Sequence, residues 1–255
     1  MLEDSLIPRY EPTYSFGEIN RSLIQAFGSD RSTELESILC EYFQVKHAFL
    51  LNSGKASLFT ILRAWNQPGK VVTPAYNCNV VPEAAAFAGY SPFFVDAEFE
   101  TMNVPHEKFR NALTDDVSVI FAVSLFGIPY DVRPLKEIAA QKKILMVEDA
   151  ASAMGSSIDG RLTGTIGDVG VISFQDTKPL SAQTGGAILT NDDALAQKIH
   201  QVLQNIQTQK QIWKVYLSAV FQKFATRRWL YPITRSVHSI LVGEKMYEIV
   251  PPPTR

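Results

Sequence analysis

Seven short apolar runs punctuate the middle of the chain: Ala48–Leu51, Val71–Thr73, Pro92–Val95, Val117–Leu125, Ile144–Val147, Val169–Phe174 and Ala187–Leu189. Most end at Gly, Pro, Asp or Asn and give way to helical spacing, as in Leu58, Ile61, Leu62 and Trp65, or Leu135, Ile138 and Ala139. Strands that read as nearly continuous apolar runs and alternate with helices predict an α/β fold. Its sheet is mainly parallel and sandwiched by helices. Ligands in such folds sit beyond the C-terminal ends of the strands, which is where chemistry is to be sought.

The flanks differ from this middle. Ser15-Phe16-Gly17-Glu18 and Thr33-Glu34-Leu35-Glu36 have capping-box spacing, so the first 45 residues read as helices. After the second box, Leu35, Ile38, Leu39, Tyr42 and Phe43 fall on one helical face. Beyond Asp193 the strand pattern stops. Ala194–Leu203 reads as a helix, Ile212–Leu230 mixes apolar, aromatic and basic residues, Pro232 interrupts it, and Pro251-Pro252-Pro253 closes the chain.

Composition narrows the class. With 255 residues, 46% apolar and 20% charged, the chain has a globular core, not the make-up of a disordered, collagen-like or disulfide-stapled protein. The longest uncharged apolar stretch, Val117–Tyr130, is too short to cross a bilayer, and the acidic Met1-Leu2-Glu3-Asp4 start lacks a signal peptide's apolar run. A cytoplasmic location is expected. The net charge of −2 gives no reason to expect nucleic acid. It hides a split, however: residues 1–193 hold 24 acids and 15 Lys/Arg, while residues 194–255 hold 2 acids and 9 Lys/Arg. That step predicts a large domain over 1–193, N-terminal helices included, and a basic, mostly helical segment over 194–255. Cys40 and Cys78 have no metal-ligand spacing, and His47, His106, His200 and His238 are scattered, so no metal is expected. Cys78 reads as a small packing residue.

Three segments carry candidate chemistry. Asn52-Ser53-Gly54-Lys55-Ala56-Ser57 lies between a strand and a helix, where unpaired backbone N–H groups at the positive end of the helix dipole suit a phosphate. An ordinary Ser-capped helix start has the same look. Glu148-Asp149-Ala150-Ala151 closes the run Ile144–Val147, putting two acids at the edge of a buried sheet, where something cationic or hydrogen-bonding must meet them. The plainer reading is an N-cap. Lys178 follows the run Val169–Phe174 at the same edge; it is placed for an amine nucleophile, though a solvated loop lysine is the default for one residue. Gly185-Gly186 lets the backbone approach a ligand closely. Together the three match the needs of pyridoxal 5′-phosphate: a phosphate loop, an amine for the aldehyde, and a carboxylate that keeps the pyridine nitrogen protonated.

In this order the sequence resembles the DegT/DnrJ/StrS family of sugar aminotransferases, which are fold-type I pyridoxal phosphate enzymes. The resemblance runs from Ile7-Pro8-Arg9-Tyr10 to about His200. It takes in Ser53-Gly54, Thr73-Pro74-Ala75-Tyr76, Gly89 with Pro92-Phe93-Phe94-Val95-Asp96, and Leu125-Phe126-Gly127. It continues through Glu148-Asp149-Ala150-Ala151, Gly164, Gly167-Asp168, Ser173-Phe174 with Lys178, and Gly185-Gly186-Ala187. The resemblance implies that Lys178 carries the cofactor and moves the proton, and that Asp149 pairs with the pyridinium nitrogen. Ser173, Ser53 and the backbone at Gly54 and Lys55 would hold the phosphate. Tyr76 stands in for the aromatic that stacks on the ring, because that position falls near Cys78. Ser152 takes the place of a Gln or His, Lys55 of a Thr, Ser124 of a His, and Gln183-Thr184 of Gly-Glu.

The implied activity is transfer of an amino group from an amino acid, glutamate in most of the family, to a nucleotide-linked keto sugar for amino-sugar or polysaccharide synthesis. A homodimer with shared active sites is implied as well. Most of the family's C-terminal small domain is expected to be missing or atypical. The alternatives are a binding or regulatory descendant of the fold, a fragment of such an enzyme, or another reaction on an amino compound. For the basic segment, in which Lys198, Lys210, Lys214, Lys223, Arg227, Arg228 and Arg235 are interleaved with aromatics, the expectation is a helical pair packed on the large domain. Peripheral contact with anionic lipid, or attraction to a nucleotide sugar's diphosphate, is the other reading.

Overall fold

The computed structural model describes residues 11–206, 211–231 and 233–234. Ile7–Tyr10, Lys210, Pro232, Arg235, His238 and Pro251–Pro253 lie outside the described residues. The elements run α1 (Phe16–Ala26), α2 (Ser32–Phe43), β1 (His47–Leu51), α3 (Gly54–Trp65), β2 (Lys70–Pro74), α4 (Val80–Phe87) and β3 (Ser91–Val95). There follow α5 (His106–Ala112), β4 (Val117–Val123), α6 (Arg133–Gln141), β5 (Leu145–Asp149), β6 (Ser157–Ile158) and β7 (Arg161–Leu162). The last are β8 (Val169–Ser173), β9 (Gly186–Thr190), α7 (Asp193–Gln204) and α8 (Ile212–Ala225). Each of the seven apolar runs is a strand.

Those strands form one sheet in the order β1-β9-β8-β5-β4-β2-β3. Pairings from β8 through β3 are parallel, while β9 runs antiparallel to both β8 and β1. Both faces of the sheet are covered, and the two-residue period of a strand shows how. Along the fully buried β4, Val119 and Phe121 join one core with Leu58, Ile61 and Leu62 of α3; Ile120 and Ala122 join a second with Leu135 and Ala139 of α6. A third cluster packs Leu39 and Phe43 of α2 against Ala48, Ile172 and Leu189.

Among the described residues the chain divides into two compact units, one starting at Gly28, the other joining residues up to Phe27 with those from Gln211 on. This differs from the boundary expected at 193. Helix α7 buries Leu195, Ala196 and Ile199, packs on α3 and belongs to the first unit, so membership follows its apolar stripe and not the charge step. In the second unit α1 and α8 pair antiparallel: Phe16 lies 4.9 Å from Phe224, Phe27 6.2 Å from Trp213, and Tyr216 Oη donates to Asn20 Oδ1 at 3.1 Å. Ser15 and Glu18 close the expected capping box. The Arg227 guanidinium sits 5.7 and 5.3 Å from the Phe16 and Phe224 rings, so one of the interleaved cations serves the packing. Trp213, Leu217 and Phe221 remain exposed.

The second expected capping box does not form. Helix α2 starts two residues earlier, at Ser32, whose N–H is taken by Asp30 Oδ1 at 2.9 Å, and Thr33 lies inside the helix. Of its predicted face only Leu39 and Phe43 are buried. Leu35, Ile38 and Tyr42 instead border an apolar cavity of about 540 Å³ with Phe174 and Leu180. Among the described residues no helix is long and apolar enough to cross a membrane, and no cluster of His, Cys, Asp or Glu could hold a metal ion.

Candidate functional site

Parallel β1, β2, β4, β5 and β8 point their C-terminal ends to one side, and the reversed β9 brings its N-terminal end to the same side. A cavity of about 360 Å³ lies there. Its lining includes Ser53, Gly54, Lys55, Asn77, Cys78, Asp149, Ser152, Ser173, Lys178 and Gly185. Three segments, the outermost two 125 residues apart in sequence (Ser53 and Lys178), thus meet because the strand order places their ends side by side. The size falls in the range of small-molecule sites, about 300–1,000 Å³.

The anion end is built on α3. Ser53 is its N-cap: the Oγ accepts the N–H of Ala56 at 3.1 Å, and the remaining N–H groups of the first turn have no intrahelical acceptor. Ser173, the last residue of β8, is buried against this helix start; a Cβ on Gly54 would stand only 3.3 Å from Ser173 Cβ. Gly186 serves the same junction. A Cβ there would meet Gly54 N at 2.7 Å, Ser53 C at 2.8 Å and Ile172 O at 2.9 Å. The close approach at Gly186 is therefore to the backbone of the α3 start, while Gly185 itself lines the cavity. Lys55 turns its amine to Glu83 Oε2 at 2.5 Å and over the Phe87 ring, 4.9 Å from the centroid.

At the far end of β5 the two acids part, as strand alternation requires. Glu148 turns away from the cavity and accepts the N–H groups of Gly164, at 2.6 Å, and Gly167, which fixes that loop. Asp149 faces the cavity and is buried, and among the described residues its carboxylate accepts one hydrogen bond, from Ala151 N to Oδ1 at 3.0 Å. Burial pushes its pKa above the usual carboxylate range; the Ala151 hydrogen bond and the Lys178 charge pull the other way and do not overcome it. The Lys178 amine donates to Ser152 Oγ at 3.0 Å.

These residues fit pyridoxal phosphate. A buried carboxylate short of partners suits a protonated ring nitrogen, a helix N-terminus with Ser173 beside it suits a phosphate, and an amine lines the space between. Seven of the eight residues inferred from sequence line the cavity: Ser53, Gly54, Lys55, Asp149, Ser152, Ser173 and Lys178. Tyr76 does not. It is half exposed and tilted against Phe126 at 6.3 Å, while its neighbours Asn77 and Cys78 form that wall. Cys78 is exposed at the cavity wall and not packed inside. Sequence reasoning also passed over Glu83 and Asn79; their spacing of four across the start of α4 was the available signal. His47 and His106 are tied to Asp193 and to the Asp131 carbonyl.

Residues 18–226 match the model of the DegT/DnrJ/EryC1/StrS aminotransferase family. The chain is 31% identical over 226 residues to an uncharacterized protein of Methanocaldococcus jannaschii, covering 86% of this chain and 58% of that protein. It is 33% identical over 168 residues to the GDP-perosamine synthase of Caulobacter vibrioides, covering 65% of this chain and 45% of that one. Among solved structures, DesI in the presence of its TDP-sugar product superposes with a TM-score of 0.71 and 28% identity, over 78% of this chain and 52% of that chain. The chain spans about half the length of the curated relatives it matches. With a family match over most of its length, it belongs to the DegT/DnrJ/EryC1/StrS aminotransferase family.

Proposed function

We propose that this chain is a pyridoxal-phosphate-dependent aminotransferase that moves the amino group of an amino acid, glutamate first among donors, to a nucleotide-linked keto sugar. One observation carries the reading: the Lys178 amine, the buried Asp149 carboxylate and the α3 N-terminus with Ser173 face one cavity. Relatives named for amino-sugar products or nucleotide-sugar substrates, the Caulobacter vibrioides GDP-perosamine synthase and a UDP-2-acetamido-2-deoxy-3-oxo-D-glucuronate aminotransferase of Pseudomonas aeruginosa, support it.

When bound, pyridoxal phosphate supplies an electron sink that lets a C–H bond next to an amino group ionise. The chain's part is to hold and direct. The first turn of α3 and Ser173 would anchor the phosphate at the strand ends. Asp149, ionised against the ring nitrogen, keeps that nitrogen protonated. Lys178 would hold the group through its Nζ, and the same amine would serve as the base that moves a proton at the substrate carbon. Ser152 Oγ orients that amine.

The reading is tested by mixing protein, pyridoxal phosphate and L-glutamate without acceptor and measuring 2-oxoglutarate by mass spectrometry. An amount equivalent to the protein, absent for Lys178→Ala, is the expected result. Cofactor binding with no 2-oxo acid formed from glutamate or from any other amino acid tried as donor would support the binding-protein reading instead.

A further inference from the structure

We propose that Glu83 sets the strength with which Lys55 holds the phosphate, so that Glu83 on α4 acts as a positioning residue for the cofactor site. The proposal rests on the cavity being a pyridoxal phosphate site. Lys55 is the second residue of α3, and its backbone belongs to the helix turn that faces the phosphate position. Its side chain does not stay there. The ammonium is drawn to Glu83 Oε2 at 2.5 Å and lies over Phe87 one turn further along the same helix. The other carboxylate oxygen, Oε1, accepts from Asn79 Nδ2 at 3.1 Å, so Glu83 is itself held in place. No other partner of the ammonium occurs among the described residues.

An ion pair with side chains 36% and 43% exposed is a weak bond, open to competition. A phosphate dianion at the helix N-terminus offers more charge than one carboxylate, and the helix dipole favours anions at that point. Glu83 and the phosphate therefore compete for one cation. While Glu83 holds it, the Lys55 charge is largely neutralised at the rim of the cavity. Released, it adds a full positive charge to a site that otherwise binds through backbone and hydroxyl groups.

The competition makes predictions of opposite sign for the two partners, which an ion pair serving only to tie α3 to α4 does not. Dissociation constants for pyridoxal phosphate and for pyridoxal, which lacks the phosphate, are measured by fluorescence titration on wild type, Glu83→Gln, Lys55→Met and the double variant. Circular dichroism checks the fold of each. Glu83→Gln is expected to bind pyridoxal phosphate about three- to tenfold tighter, and Lys55→Met about tenfold weaker or more, with the double variant between them and pyridoxal nearly unchanged throughout. Weaker or unchanged pyridoxal phosphate binding by folded Glu83→Gln overturns the proposal, as does an equal effect on pyridoxal. A wild type that binds pyridoxal phosphate no better than pyridoxal overturns it too, and shows separately that the phosphate site was misplaced.

Discussion

The Lys178 amine and the Ser152 hydroxyl meet at 3.0 Å, although they lie 26 positions apart with three strands between them. The contact exists because β5 and β8 are parallel neighbours whose C-terminal ends deliver the two loops to one cavity. It also gives a short side chain a role that a longer Gln or His would fill differently: Ser152 reaches the lysine amine. Ser152→Ala is expected to leave cofactor binding within about threefold but to slow the reaction of Lys178 with pyridoxal phosphate about tenfold, the value of one charge-assisted hydrogen bond. Stopped-flow absorbance reads the rate, and an unchanged rate and pH profile would remove Ser152 from the site.

Asp149 is buried and short of partners until a cation arrives, so its two states have opposite consequences. Its folded-state pKa lies above the unfolded one, so the stability tied to its neutral form is full below the ordinary carboxylate pKa and is lost as pH rises through the folded value. Asp149→Asn is therefore expected to melt higher than wild type without cofactor, with the gain larger near pH 7 than near pH 4, while binding pyridoxal phosphate at least about tenfold more weakly. Thermal melts across pH check the first part and titration the second.

Glu148, one residue earlier, does structural work on the other side of β5. Glu148→Gln keeps the shape but replaces one acceptor with a donor facing the N–H groups of Gly164 and Gly167. A loss of about 1–3 kcal/mol in urea unfolding is expected, with cofactor affinity little changed.

Two glycines carry sharply different penalties. A Cβ on Gly170 would stand 1.9 Å from Gly164 O, inside the loop that Glu148 holds, so Gly170→Ala is expected to yield little soluble protein. At Gly186 the clash is with the start of α3, at 2.7 Å from Gly54 N. Gly186→Ala is expected to fold, at a cost of about 1–3 kcal/mol, and to lose phosphate affinity more than pyridoxal affinity. Solubility, unfolding and the same titrations distinguish the two.

Much of this was legible in the residues. The seven strands announce themselves because a sheet buried on both faces needs continuous apolar runs, and Asp149 and Lys178 follow from asking what sits at the ends of those runs. The hairpin of β6 and β7 was missed. Its Asp159-Gly160 turn has both residues at positive φ, 50° and 78°, and Asp-Gly is a strong signal for such a turn. Two-residue strands are too short to show alternation, so the signal had no flanks. The aromatic wall was misassigned to Tyr76 because spacing along a loop does not say which way a side chain turns; Asn77 Nδ2 donates to Thr73 Oγ1 at 3.3 Å, and that turn faces Asn77 and Cys78 inward. The Lys55–Glu83 pair was invisible because it joins two helices through a contact that only the packing of α3 on α4 creates.

The most direct test is an absorption spectrum of the 255-residue protein with pyridoxal phosphate, wild type beside Lys178→Ala, both shown to be folded. A visible band that forms with wild type, is absent in the variant and bleaches on adding glutamate is the predicted result. A folded wild type with no Lys178-dependent band would contradict the account and leave the fold as a binding module.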